Sequence, residues 1–216
     1  MADDKRKVEL EDGTVVNLRL PGLVENQKAD WEYSKAFNKA IREGIAPREI
    51  LLADLRENGT WTEEDEIKTD GFNEQMGLLL IDTQEAADSG DNEKFEKCKA
   101  ELSTLRSEYF AHLQKLSIFL SHSAEEKANE VRILYLVYAC SENADGKSFW
   151  KSYKEFENDR RPKVVSTVVY NFMLLLNGMS EDFTKDFPEN QIKVKGNVES
   201  EPVKETPSET SESKSE

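Results

Sequence analysis

The stretch NEKFEKCKAELSTLRSEYFAHLQKLSIFL, residues 92–120, decides the fold. Within it Phe95, Cys98, Leu102, Leu105, Tyr109, His112, Leu116 and Phe119 recur at alternating steps of three and four. That spacing places them on one side of an α-helix as a heptad stripe, whereas a strand would bury every second residue. A helix with such a stripe needs a neighbour to cover it. The preceding segment, from Glu63 to about Ala87, is available, and Ser89-Gly90-Asp91 is a connection short enough to force antiparallel neighbours. Thr62 caps that segment, with Glu63, Glu64 and Asp65 in its first turn, while Gly71 and Gly77 weaken its pattern. The reading is a helical hairpin at about 63–121 with an internal seam. An intermolecular coiled coil through the same stripe is the alternative.

Downstream, Ser123 with Glu126 reads as a capping box opening a fifth helix, in which Ala124, Ala128, Val131, Tyr135 and Tyr138 repeat the heptad spacing. Ile133, Leu134, Leu136 and Val137 fill its other sides, as in a central helix. A sixth helix holds Phe149, Trp150, Tyr153 and Phe156. A seventh, from Lys163 to Asn177, is apolar enough to be buried. Ser180 caps a last turn that Pro188 halts. Upstream, Trp31, Phe37 and Ile41 mark a helix from Val24 to Gly44, and Pro47 at a first helical position opens a short one.

The β signal is confined to the start. Val8 to Glu11 and Val16 to Leu20 alternate apolar and polar residues around Asp12-Gly13, which predicts a hairpin with a two-residue type I′ turn, stopped by Pro21-Gly22. The fold class expected is therefore mostly α: a bundle of about six to seven helices with an N-terminal β-hairpin and a disordered acidic C-terminal tail. Its divisions are a flexible N-terminus at 1–7, a hairpin at 8–22, a helical domain at 23–192 and the tail at 193–216.

Among 216 residues, 44 acids oppose 29 bases, a formal charge of −15. That balance disfavours nucleic-acid binding, which needs a basic surface. No apolar run is long enough to span a membrane, and the first residues do not form a secretory signal. Cys98 and Cys140 read as two thiols in a reducing compartment. No nucleophile elbow, phosphate loop or metalloprotease motif occurs, and no metal or cofactor is expected. His112 sits on the seam, where a satisfied core histidine is the simpler reading, and His122 adjoins Ser123, whose role is capping. Arg160, Arg161 and Lys163 form a small basic cluster suited to an acidic neighbour or a helix end.

One set of motifs goes further. The order is a hairpin ending in Leu20-Pro21, the block from Tyr33 through Ala36, Phe37 and Ala40 to Gly44, and then Gly59-Thr60-Trp61-Thr62-Glu63-Glu64. This order resembles proteins of large tailed bacteriophages, sometimes grouped with tail-assembly chaperones or minor virion components. Arg106, the Ser-Ala-Glu-Glu start at Ser123 and Phe187-Pro-Glu-Asn190 extend the resemblance over roughly 8–190. It implies a non-enzymatic assembly role in the host cytoplasm or the virion, with a protein partner such as a phage tail or tape-measure protein. A permanent virion component joined as a homo-oligomer, an acidic DNA mimic and an enzyme of unrecognised type are the alternatives. Candidate partner contacts are Trp31, Phe37, Trp61, Val16 and Leu18, each weighed against ordinary core packing.

Overall fold

The computed structural model describes residues 5–195. Two strands, β1 (Lys5–Glu9) and β2 (Val15–Arg19), precede the helices α1 (Leu23–Arg42), α2 (Arg48–Glu57), α3 (Glu63–Ser89), α4 (Asn92–Leu120) and α5 (Ala124–Cys140). A two-residue strand β3 (Ser141–Glu142), then α6 (Tyr153–Glu157), α7 (Pro162–Leu176), a 3-10 turn (Phe183–Asp186) and α8 (Pro188–Gln191) complete the described chain. The fold is mostly helical with a small antiparallel sheet, as the periodicity predicts.

The hairpin differs from expectation in three ways. It begins at Lys5, because Lys5, Arg6 and Lys7 pair with Arg19, Leu18 and Asn17, so residues 5–7 are strand and not a flexible end. Its turn is not type I′ around Asp12-Gly13. Gly13 N–H donates to Leu10 O at 2.9 Å and Leu10 N–H to Thr14 O at 2.8 Å, which centres the turn on Glu11-Asp12. Gly13, at φ 79°, takes the left-handed bulge position that follows such a turn. Finally, β2 is not an edge: β3 pairs with it, Leu18 opposite Ser141 and Asn17 opposite Glu142.

The inward face of the sheet builds the main core. Val8, Leu10, Val16 and Leu18 pack with Leu136, Val137 and Cys140 of α5, with Trp150 and Phe156, and with Val168, Phe172 and Leu175 of α7. Alternation along the strands thus survives, with Glu9, Asn17 and Arg19 outside beside a half-buried Val15. Helices α1 and α5 run alongside in opposite directions. Ala124 N–H donates to Ala46 O at 3.0 Å near one end, and Arg132 Nε to Asp30 Oδ1 at 2.7 Å midway. Ala29 and Ala40 on α1, and Ala124 and Ala128 on α5, are buried, and such small side chains permit close helix approach. Arg19 ties the corner together: Nη2 donates to Glu25 at 2.7 Å, Nε to Glu142 at 3.0 Å, and Nη2 also reaches Ala139 O.

Helices α3 and α4 form the expected antiparallel hairpin, a long arm beside this core. The seam is internal: Phe95, Cys98, Leu102 and His112 are buried toward α3, and Leu105, Tyr109 and Leu116 are half-buried. At its end the stripe shifts by one residue, leaving Phe119 exposed and burying Leu120. A straight helix of 3.6 residues per turn drifts off a strict seven-residue repeat, by about 20° per heptad.

Smaller corrections concern helix ends. Pro47 caps α2 from outside its first turn. Ser123 accepts from Glu126 N–H at 3.2 Å, but its own N–H bonds Leu120 O, so only half of the predicted capping box forms. Phe149 and Trp150 precede α6, and Pro188 starts α8 because a first-turn N–H is dispensable. Ile192 and Val194 pack against Ala86, Ala87 and Phe95 at the tip of the arm, and Lys195 N–H donates to Ala87 O at 3.0 Å. Residues 193–195 therefore belong to the fold, and the rest of the predicted acidic tail, 196–216, lies outside the described residues, as do residues 1–4.

Leu18 is fully enclosed in the main core. Leu18→Ala is expected to lower stability by about 2–5 kcal/mol, read as a lower urea midpoint at unchanged slope.

Candidate functional site

His112 and the two cysteines have structural occupations, whereas His122 lies exposed at the turn between α4 and α5. His112 lies in the seam with Nε2 at 3.0 Å from Asp65 O and 3.1 Å from Thr69 Oγ1. The carbonyl only accepts, and the Thr69 hydroxyl already donates to it at 2.8 Å, so Nε2 carries the proton. The imidazole also packs on Trp61 and Phe72, at ring separations of 5.0 and 5.7 Å. It therefore fastens α4 to the first turns of α3. Cys98 and Cys140 are free and buried, and burial pushes the Cys140 thiol up to about 11, which keeps it protonated at neutral pH. Burial likewise raises the Tyr153 phenol to about 12. Among the described residues no group of three or more His, Cys, Asp or Glu side chains could hold a metal ion.

An electrostatic knot joins α6 to α7. The Arg161 guanidinium holds the Asp159 carboxyl well below the usual carboxylate range, through contacts at 3.0 and 2.7 Å. Trp150 Nε1–H donates to the same carboxylate at 2.8 Å, and the Arg161 N–H at 2.9 Å. Asp159 thus satisfies the polar edge of a core tryptophan. Two members of the predicted basic cluster are paired locally, Arg161 with Asp159 and Lys163 with Glu11 on the hairpin turn, and Arg160 is exposed.

The residues expected to touch a partner separate into two groups. Val16 and Leu18 are fully buried and Trp61 is 3% exposed, so all three are corrected to core positions, inaccessible without unfolding the sheet or the base of the arm. Phe37 is half-buried and stacks on Tyr33 with ring centroids 6.2 Å apart. Only Trp31 stands out, 65% exposed, beside Val24, Lys28 and Tyr135, with Lys35 Nζ 5.7 Å from its ring.

A second set of exposed apolar side chains lies on α3. On α3, Ile67, Leu78 and Ile81 are 64%, 57% and 59% exposed, on the side facing away from buried Phe72, Thr83, Ala86 and Ala87. Their signal is present as a second stripe, Ile67, Gly71, Glu74, Leu78 and Ile81, stepping by four, three, four and three. Gly71 and Glu74 break its apolar character, which hides it beside the stronger pattern of α4.

Beside its seam the arm carries a clamp. Arg106 Nη2 donates to both carboxylate oxygens of buried Glu189, at 3.0 and 2.8 Å, while its guanidinium lies 4.1 Å from the centre of the Phe187 ring. Two separated parts of the resemblance, Arg106 and Phe187-Pro-Glu-Asn190, thereby meet, and what they do there is hold the C-terminal segment along α4. A cleft of about 740 Å³ lies between β1 and the end of α7, lined by Arg6, Leu175, Leu176 and Met179. Arg6 Nη2 already donates to Met179 O there at 2.7 Å. No helix among the described residues is long and apolar enough to cross a membrane. Comparison with known protein families, characterised proteins and solved structures finds no match.

Because Asp159 protonates at a lower pH in the folded than in the unfolded chain, its stabilisation is complete above the ordinary value of 3.8. It is lost as the pH falls through the lower folded value. Asp159→Asn is expected to cost about 1–3 kcal/mol at pH 7. The variant's stability should also fall less steeply than the parent's below pH 4, which urea titrations across pH 2–7 would measure.

Proposed function

We propose that this chain is a non-enzymatic assembly factor that works by binding another protein, with the α3–α4 arm as its presenting surface. The observation that carries this reading is the row of large apolar side chains on the outer face of α3, which no part of the described chain covers. Isolated exposed apolar residues are ordinary, but an ordered row on a long helix is a feature of helix-binding surfaces. Trp31 adds a second apolar anchor on α1. Helices α3 and α4, of 27 and 29 residues, give the arm a reach of about 40 Å at 1.5 Å per residue, suited to laying alongside an elongated partner.

The finer reading follows the resemblance in the Tyr33–Gly44 and Gly59–Glu64 blocks: tailed-phage assembly, acting like a tail-assembly chaperone toward a tail or tape-measure protein in the host cytoplasm. A chaperone of that kind must be acidic enough to stay dissolved while exposing apolar contacts, and −15 with an open apolar row meets both needs. Retention as a minor virion component is the second form of the same role. The mixed character of the α3 face favours a protein partner over mimicry of DNA, since a phosphate backbone offers no isoleucine or leucine.

Affinity capture of the tagged full chain from its producing cells, with mass spectrometry, is expected to yield one protein in near-stoichiometric amount that is absent from an untagged control. Recovery of a nucleic-acid-binding protein would shift the reading to mimicry, and recovery of the chain alone would remove it.

A further inference from the structure

We infer that the outer face of α3 is the docking site for a basic amphipathic helix of a partner protein. The inference rests on the protein-binding reading above and specifies the chemistry of the partner. Ile67, Leu78 and Ile81 supply the apolar line, spanning 14 residues or about 21 Å of helix. A facing helix of four turns with apolar residues at heptad spacing would cover that length.

Charge selects the occupant. Helix α3 carries nine carboxylates against a single lysine, Lys68. Glu74 interrupts the apolar line and Asp70 and Glu85 border it; all three are exposed and form no ion pair among the described residues. A second copy docked through the same face would set these carboxylates against their own kind, which argues against a dimer. A helix with Lys or Arg flanking its apolar line meets them with opposite charge. Helix α4 cannot serve this purpose, because it is bound to the opposite side of α3.

An independent feature agrees. Gly71 lies on the exposed line and Gly77 at its margin, both inside a helix, where glycine costs about 1 kcal/mol relative to alanine. A Cβ built at either position would meet nothing within 4 Å, so no contact inside the described chain calls for glycine there. A partner backbone approaching the face closely does call for it.

The test uses the full chain and two fluorescein-labelled 21-residue synthetic peptides. Both carry Leu at the a and d heptad positions; one carries Lys at e and g, the other Glu. Fluorescence anisotropy is expected to show one-to-one binding of the Lys peptide and none of the Glu peptide. Leu78→Gln with Ile81→Gln, which leaves the charge unchanged, should weaken binding at least tenfold. Gly71→Gln should do the same, and Trp31→Gln should have no effect. Trp31, Leu78 and Ile81 are exposed and Gly71 is half-buried with open space beyond its Cα, and circular dichroism melts would confirm that each variant is folded. Equal binding by the parent and the Leu78/Ile81 variant would reduce the effect to diffuse attraction and overturn the inference, as would absence of binding. A dimer in light scattering that dissociates with Ile81→Gln would also overturn it, by assigning the face to a second copy. If cells yield a partner whose capture is unaffected by Leu78→Gln with Ile81→Gln, only the docking inference falls. If the peptide behaves as expected but cells yield no partner, it is the assembly reading that fails.

Discussion

The main body of this protein depends on covering one side of a hairpin. Val16 and Leu18 on β2, with Val8 and Leu10 beside them, make an apolar surface that two strands in water cannot protect. The cover comes from far along the chain: α5 and α7 lie against that surface, and Trp150 closes it with its indole nitrogen satisfied by Asp159. The chain leaving α5 then becomes β3, so the helix that covers the sheet also extends it. Arg19 stands where these parts converge and connects the second strand to the start of α1, the end of α5 and β3. Loss of the apolar contact would release all of these at once, because no other layer among the described residues covers the sheet.

The arm obeys a different constraint. Two helices packed side by side bury one face of each, and the remaining faces stay open unless something else lies on them. Three attachments hold the pair in register with its surroundings. His112 joins the seam to the first turns of α3, Arg106 grips Glu189 and Phe187 beside the seam, and Ile192 with Val194 fills the tip. None of them covers the outer face of α3. That face is left over by the architecture, and its content is therefore informative: nothing in the packing of the arm requires isoleucine or leucine there.

Features encoded by local periodicity were legible in the sequence. The 92–120 stripe located α4 and its partner, because a seam between neighbouring helices depends only on spacing and a short connection. The Asp12-Gly13 pair signalled the hairpin, yet the hydrogen bonds centre the turn on Glu11-Asp12 and leave Gly13, at positive φ, in the position after it. What stayed hidden depended on contacts between distant segments. Ser141-Glu142 has no strand signature and pairs only because the end of α5 delivers it to β2. Val16, Leu18 and Trp61 looked like contact residues because sequence cannot say which apolar side chains are covered by segments more than a hundred residues away, or, for Trp61, by the seam histidine. The stripe on the outer face of α3 was obscured for a related reason: glycine and glutamate occupy positions that a core-facing stripe would fill with leucine.

Those same substitutions explain how the exposed row is tolerated. An uninterrupted apolar stripe on α3 would pair with its own copy, since a seven-residue repeat is self-complementary. Glu74 within the line, Asp70 and Glu85 at its edges and the acidic first turn make self-pairing costly, while the net charge keeps separate molecules apart. The cost disappears for a partner of opposite charge, where the carboxylates become attractive and the glycines leave space for its backbone. Acidity and exposed apolar surface therefore act together in this helix. The first limits what binds and the second supplies the contact, so a single face can remain open in isolation and still be selective when occupied.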